Sequence, residues 1–344
     1  MDGFFEKYGR VIIIAVAICF VLLYLTPMRN VVGSSINGFA GNFANKVGES
    51  IGTVKLPDGS ANIAKEKSSK LITGRNFNNK IPSEATTIIF TDEKAPEGIS
   101  TIDLTVVQDG DVVGWLDGTT WKISTQNNSK KILFNEYSDD MFDDCKNLQE
   151  IHFNNVDTSQ VTNMWSMFRE CSSLTNLDLS SFDTSKVTIM NQMFKDCEKL
   201  KNLDLSGFDT SNVTSMSEMF SSCSNLTNLD LSSFDTSHVT DMSHMFYYCS
   251  SLTNLDVNHF NTSKVTTMYM MFLNCSSLTS LDISEFDTSK VTDMTWMLDD
   301  CYKLTKVKAS QATYNNMNSL AEKANKTLKD YIHLNPNKIE IVNK

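Results

Sequence analysis

Seven cysteines stand at positions 145, 171, 197, 223, 249, 275 and 301, each 26 residues from the next. Thiols at such regular spacing raise two chemistries. Metal binding needs several converging ligands, usually as Cys-x-x-Cys or with histidine close by. No such pair occurs, and the five histidines (152, 238, 244, 259 and 333) do not follow the cysteine column. Disulfide pairing fits poorly: the count is odd, and side chains stacked in one column run parallel rather than facing each other. The expectation is a column of buried free thiols acting as small apolar groups.

Two further columns carry methionine at 164, 190, 216, 242, 268 and 294, and at 141, 167, 193, 219, 245, 271 and 297. A copper-binding cluster is the chemical reading. Core packing is the better one, because these positions alternate with Val and Phe of the same apolar set.

The aspartate column is a stronger candidate. Asp178, Asp204, Asp230, Asp256 and Asp282 recur at the same interval, with His152 before them and Lys308 after. On one face of a sheet they would lie about 4.8 Å apart. Unit charges at that distance repel by roughly 0.9 kcal/mol even in water. Either solvation, salt and neighbouring Asn and Ser groups compensate, or a cation such as calcium or a basic ligand does. The column lacks the glycine-rich nonapeptide of repeat calcium sites. No cofactor is expected, with calcium as the alternative.

A last set breaks the pattern. Between the paired methionine columns, some units hold Trp165, Tyr269 and Trp296 where others hold Ser, Asn or His, and Tyr247 and Tyr248 lie close by. Exposed aromatics of this kind are candidate anchors for a protein or glycan partner, the alternative being partial burial against neighbouring units. No Gly-rich phosphate loop, zinc helix motif or nucleophile elbow is present, and a repetitive surface is not a single catalytic pocket. No enzyme activity is expected.

The element that must position these residues is a 26-residue unit, MFxxCSSLTNLDLSSFDTSKVTxMxx. A period of this size predicts a repeat solenoid in which neighbouring coils bury each other's apolar faces. LDLS alternates with period two, placing Leu177 and Leu179 inward in one short strand per coil, stacked into a parallel sheet. Asp183 of FDTS marks an Asx-turn, with Asn261 substituting in one unit. Val187, Met190, Met193 and Phe194 then return inward. Both ends need caps: TTIIF and VVGWLDGTTWKI within 81–136 read as strands with a hairpin turn at Asp117-Gly118. Asn315 to Ile332 reads as a helix, with Pro336 beyond its end.

This unit resembles the repeat of BspA-like leucine-rich-repeat surface proteins of bacteria. VVGWLDGTTWKIS is also similar to the segment that leads into those repeats. The resemblance covers 139–304. It implies a leucine-rich-repeat-like right-handed coil stack and a non-enzymatic, anchored, extracellular protein used in adhesion. The cleaved leader and wall-attachment signal of many members have no counterpart here.

Residues 11–28 begin VIIIAVAICFVLLYL and predict an uncleaved single-pass transmembrane helix after a cytoplasmic tail of residues 1–10. An amphipathic helix over 29–52, a linker over 53–80, a β cap over 81–136, repeats over 137–308 and a C-terminal helical cap over 309–344 follow. The bulk of the chain is then expected outside the cell.

The 344 residues carry a net charge of -11. Residues 139–302 hold 24 acids against 8 bases, while 303–344 hold 3 acids against 8 bases. That balance argues against a nucleic-acid partner, which would need a basic face. The leading expectation is adhesion to host or bacterial surface protein or glycan. The alternative is a filament or coat subunit that self-associates through its N-terminal helices.

Overall fold

Gly118 at φ 62° turns the chain between strands β3 (Val113–Asp117) and β4 (Thr120–Ser124), closing the hairpin expected at Asp117-Gly118. The computed structural model of the protein describes residues 69–108, 110–126 and 130–342. The cytoplasmic tail, transmembrane helix and amphipathic helix expected over 1–52, and the linker as far as residue 68, lie outside the described residues.

Around the hairpin stand α1 (Gly74–Asn78), β1 (Thr87–Phe90), β2 (Ile102–Asp103), β5 (Ile132–Leu133), β6 (Glu150–Phe153) and β7 (Val156–Asp157). Strands β2-β3-β4-β1-β6 form one mixed sheet, with β1 parallel to both β4 and β6. Because β6 belongs to the first 26-residue unit, this sheet fastens the N-terminal module to the repeats. The Arg75 guanidinium reaches the buried Asp140 carboxylate, and Arg169 grips Asp143 with bonds of 2.7 and 2.8 Å. Gly114 is required here, because a Cβ on it would sit 2.7 Å from Trp121 Nε1.

From 137 to 304 the units stack in register. Their apolar columns form one continuous core: Leu200, Val213, Met216, Met219, Phe220 and Cys223 are all fully buried, as are most of their equivalents 26 residues away. Phe168, Phe194, Phe220, Phe246 and Phe272 stack face to face with ring centroids 5.5–5.8 Å apart. Each buried thiol donates to a carbonyl of the preceding unit, as Cys197 Sγ does to Phe168 O at 3.1 Å.

The backbone bonds that join one unit to the next lie on the Met-Phe arm. Gln192, Phe194 and Asp196 donate to Ser217 O, Met219 O and Ser221 O at 3.0, 3.0 and 2.8 Å, and other units repeat the pattern. Two residues per unit take positive φ to aim these N–H groups, Gln192 at 58° and Asp196 at 59° in this unit. On the same arm, single-residue parallel bridges run from Tyr137 through Asn163, Ile189, Ser215, Asp241 and Thr267 to Asp293.

The fold class expected from sequence is corrected by this arrangement. In place of a leucine-rich-repeat-like right-handed coil stack built on a parallel sheet of LDLS strands, the strands among the described residues form three small sheets, one mixed and two parallel. These are the five-stranded sheet above, β5-β7, and β10-β9-β8, the last made of β8 (Ser280–Ile283), β9 (Lys306–Ser310) and β10 (Ile339–Val342). The LDLS segments at 177–180, 203–206 and 229–232 and the LDVN segment at 255–258 form no strand. The aspartate of each captures the N–H two residues on, at 2.9–3.1 Å, but Asp282 does the same to Ser284 N at 3.0 Å within β8, so this turn bond does not separate the two cases. The difference is charge: these aspartates face like charges across the stack, whereas β6 carries His152 and β9 carries Lys308 in that column.

The helix expected over 315–332 is two helices, α2 (Gln311–Lys323) and α3 (Leu328–Ile332). Ser310 and Thr327 each cap an N-terminus by accepting a backbone N–H, and Asn325 at φ 54° breaks the run between them. Helix α3 closes the last unit: Trp296 N donates to Tyr331 O at 2.8 Å and Leu298 N to Ile332 O at 3.2 Å. Among the described residues no helix is long and apolar enough to cross a membrane. The single-pass membrane location expected from sequence is corrected accordingly.

Candidate binding surface

The variable positions of the Met-Phe arm converge toward the C-terminal end of the stack. His244 and Trp296 occupy one positive-φ column, at 56° and 54°, and Tyr248 occupies the other, at 57°. Tyr269 and Tyr247 stand beside them. Their rings make a continuous strip: Tyr248 to Tyr247 at 4.5 Å, Tyr247 to His244 at 5.4 Å, His244 to Tyr269 at 5.0 Å, and Tyr269 to Trp296 at 6.2 Å. His333, just past α3, extends it with a ring 6.1 Å from Trp296. Tyr248 is 41 % exposed, and Tyr247, His244, Tyr269 and Trp296 are half-buried. The rings thus present partly open faces over a rigid backbone.

Carboxylates border the strip. Asp299 accepts from His333 at 2.9 Å, and Asp300 takes the Tyr302 hydroxyl beside Tyr248. Glu218 lies near His244 and accepts from Lys195 and from Gln192. Burial holds the His244 pKa below the ordinary 6.5 despite Glu218, so its ring is neutral at pH 7. Burial also pushes the Tyr247 hydroxyl up, keeping it a hydrogen-bond donor. Lys326 Nζ sits 5.7 Å from the Trp296 ring centroid, a cation–π contact.

Among the sequence-predicted residues, Tyr247, Tyr248, Tyr269 and Trp296 come together in this strip. Trp165 stands on the same arm near the other end of the stack, half-buried, and joins no ring of the strip. His244, His333 and Lys326 were not singled out from sequence. His244 shares a repeat column with Trp296, a signal the aligned units carry. His333 and Lys326 lie outside the repeats and reach the strip only through the fold of α2 and α3.

The aspartate column forms a separate face. Asp178, Asp204, Asp230 and Asp256 are exposed, while Asp282 is half-buried and pairs with Lys308 at 3.3 Å. Backbone N–H groups of Ser180, Ser206 and Ser232 are the main cause holding Asp178, Asp204 and Asp230 below the ordinary 3.8. At Asp282 burial pushes upward and is outweighed by Ser284 and Lys308. Each carboxylate is therefore turned onto its own chain. Among the described residues no group of three or more His, Cys, Asp or Glu is arranged to hold a metal ion. Asn258 and His259, standing where Ser180 and Ser181 stand in an earlier unit, border a shallow groove with Asp256, Asp282 and Glu285.

No curated protein and no solved structure matches the chain. One family does, over residues 137–231 and again over 222–333, the same stretch that carries the stacked units and the aromatic strip. These matches span more than half of the sequence, and the chain belongs to that family, described as a Mycoplasma protein of unknown function, DUF285.

Proposed function

We propose that this chain is a BspA-like adhesion protein, one that binds a host or bacterial surface macromolecule without transforming it. The observation that carries this reading is the unbroken run of ring contacts from Tyr248 to Trp296 across neighbouring units. Partly exposed aromatics on a rigid frame lose little conformational entropy on binding and bury large areas, which is why they dominate interfaces. Family membership supports the reading through the surface-protein character of the repeat. A broad, repetitive face lined with rings and carboxylates also suits recognition better than turnover, which needs converging groups in one enclosed pocket.

The test is a binding survey of the full chain against host matrix proteins, bacterial surface proteins and glycans. Saturable binding that weakens on Trp296→Ala or Tyr269→Ala is the expected result. Saturable binding indifferent to both substitutions, with a folded protein, would remove the strip as the site.

A further inference from the structure

The backbone marks the aromatic strip as unlike the rest of the stack. The positive-φ column before each cysteine holds Asp144, Glu170, Asp196, Ser222, Tyr248, Asn274 and Asp300. Left-handed backbone suits Asn, Asp and Gly, and a bulky ring there is disfavoured. Tyr248 is the one aromatic of that column, and its exposure means that burial does little to offset the conformation. The companion column holds Asp140, Ser166, Gln192, Glu218, His244, Met270 and Trp296, so most units adopt this conformation without a ring. The backbone at 244, 248 and 296 thus does not itself demand a ring.

The electrostatics say what the rings serve. Residues 139–302, which contain every ring of the strip except His333, carry 24 acids and 8 bases. Beside the strip stand three carboxylates: Glu218, paired with Lys195; Asp299, paired with His333; and Asp300, which holds the Tyr302 hydroxyl. Lys195 is engaged by Glu218 at 2.5 Å. Lys326, one of eight bases over residues 303–344, is laid over Trp296 itself. The protein thereby demonstrates on its own surface the contact that the strip offers: an ammonium over an indole face. Negative ring faces backed by carboxylates attract cations by two additive effects, the quadrupole of the ring and the field of the acids.

We infer that the occupant of the strip is a basic segment of a partner protein, whose Arg or Lys side chains stack on Trp296, Tyr269 and Tyr248. This rests on the proposed binding role and narrows it to one partner chemistry. Neutral glycans, which also stack on aromatics, are the rival that the test must separate.

The experiment uses the full chain and three probes: a labelled Arg-Gly repeat peptide, its Gln-Gly counterpart, and a neutral N-acetylglucosamine oligomer. Binding is read by fluorescence anisotropy at low and at physiological salt. The expected result is saturable binding of the Arg-Gly peptide alone, weakened by salt and weakened about tenfold by Trp296→Ala. Tyr248→Asn should weaken it as well, and it keeps a residue suited to the backbone, so failure to fold does not cloud the outcome. Tyr137→Ala, an exposed ring in the first unit, should leave binding unchanged.

Arg-Gly binding that is equal in all variants would show attraction by general charge and overturn the inference. Strip-dependent capture of the neutral oligomer without peptide binding would overturn the basic partner while leaving the binding role intact. Absence of strip-dependent binding to these probes and to the proteins and glycans of the broader survey would remove both.

Discussion

Lys308 faces Asp282 across strands β8 and β9, with Nζ 3.3 Å from Oδ2, and the two are direct register partners. One column contains this pair and the unpaired run from Asp178 to Asp256. Strand pairing occurs where the aspartate meets a cation and is absent where it meets another aspartate. The pair depends on its cation: Lys308→Gln is expected to lower Tm by ~1–2 °C at low salt, with the loss shrinking as salt screens the pair. Asp230→Asn keeps the side-chain acceptor for Ser232 N–H but removes the charge which that bond favours, so it should also lower Tm slightly. Thermal melts at two salt concentrations check both.

The phenylalanine stack should be the least tolerant part of the core. Phe220 is fully buried between Phe194 and Phe246, with ring centroids 5.7 and 5.8 Å away. Phe220→Ala is expected to cost roughly 3–5 kcal/mol, or ~10 °C in Tm. Phe220→Leu should be much milder, since Leu298 fills the same column in the last unit. Chemical denaturation of the three proteins side by side measures the difference.

Acid should unfold the protein through its turns. The Asp183 carboxylate is held below the ordinary 3.8 first by the Ser185 hydroxyl and then by the Ser185 N–H, and Asp157, Asp235 and Asp287 behave alike. A depressed folded-state pKa contributes stability above the unfolded value and loses it as pH falls through the folded one. Stability is therefore expected to drop as pH falls below ~4. Asp139 and Asp140, pushed up mainly by burial, act with opposite sign: their contribution is full at low pH and is lost as pH rises through their folded values. Asp183→Asn should flatten the acid limb, because Asn261 makes the same turn naturally through its Oδ1 at 3.1 Å from Ser263 N. Circular dichroism melts from neutral to acid pH would show it, and an unchanged limb would contradict the turn assignment.

Function and stability should trade against each other at Tyr248. Replacing it with asparagine, as at Asn274 in the next unit, relieves an unfavourable backbone conformation. Tyr248→Asn is expected to stabilise by about 1 kcal/mol while weakening partner binding. Melting and binding measured on the same preparation decide whether the two changes run in opposite directions.

The thiol column should be chemically silent. Burial is the main cause raising the pKa of every cysteine from 145 to 301, with Cys145, Cys223 and Cys301 pushed up to about 12. Thiolate is the reactive form, so maleimide should modify none of Cys171, Cys197, Cys249 or Cys275 in the native protein. All should react in denaturant. Site-resolved mass spectrometry reads this directly, and rapid native labelling at Cys223 would contradict the packing.

Much of the core was legible from the chain because its columns repeat every 26 residues. Comparing Cys197 with Cys223, or Phe194 with Phe220, is an alignment within one molecule, and invariant apolar columns have to be interior where each unit buries its neighbours. The Asp183 turn was legible for a local reason: its carboxylate bonds the backbone two residues away. The path of the ladder was not. Period-two alternation in LDLS marks an inward and an outward face, which turn-rich backbone satisfies as well as a strand does. Only stacking decided that the Met-Phe arm, through left-handed residues such as Gln192 and Asp196, carries the inter-unit bonds. Likewise, sequence marked Tyr247, Tyr248, Tyr269, Trp296 and Trp165 as equivalent exceptions to a pattern. Tertiary structure separated Trp165 from the other four and brought His333 and Lys326 to them. Those contacts join residues far apart along the chain, and local physics cannot encode such a distance until the units have stacked.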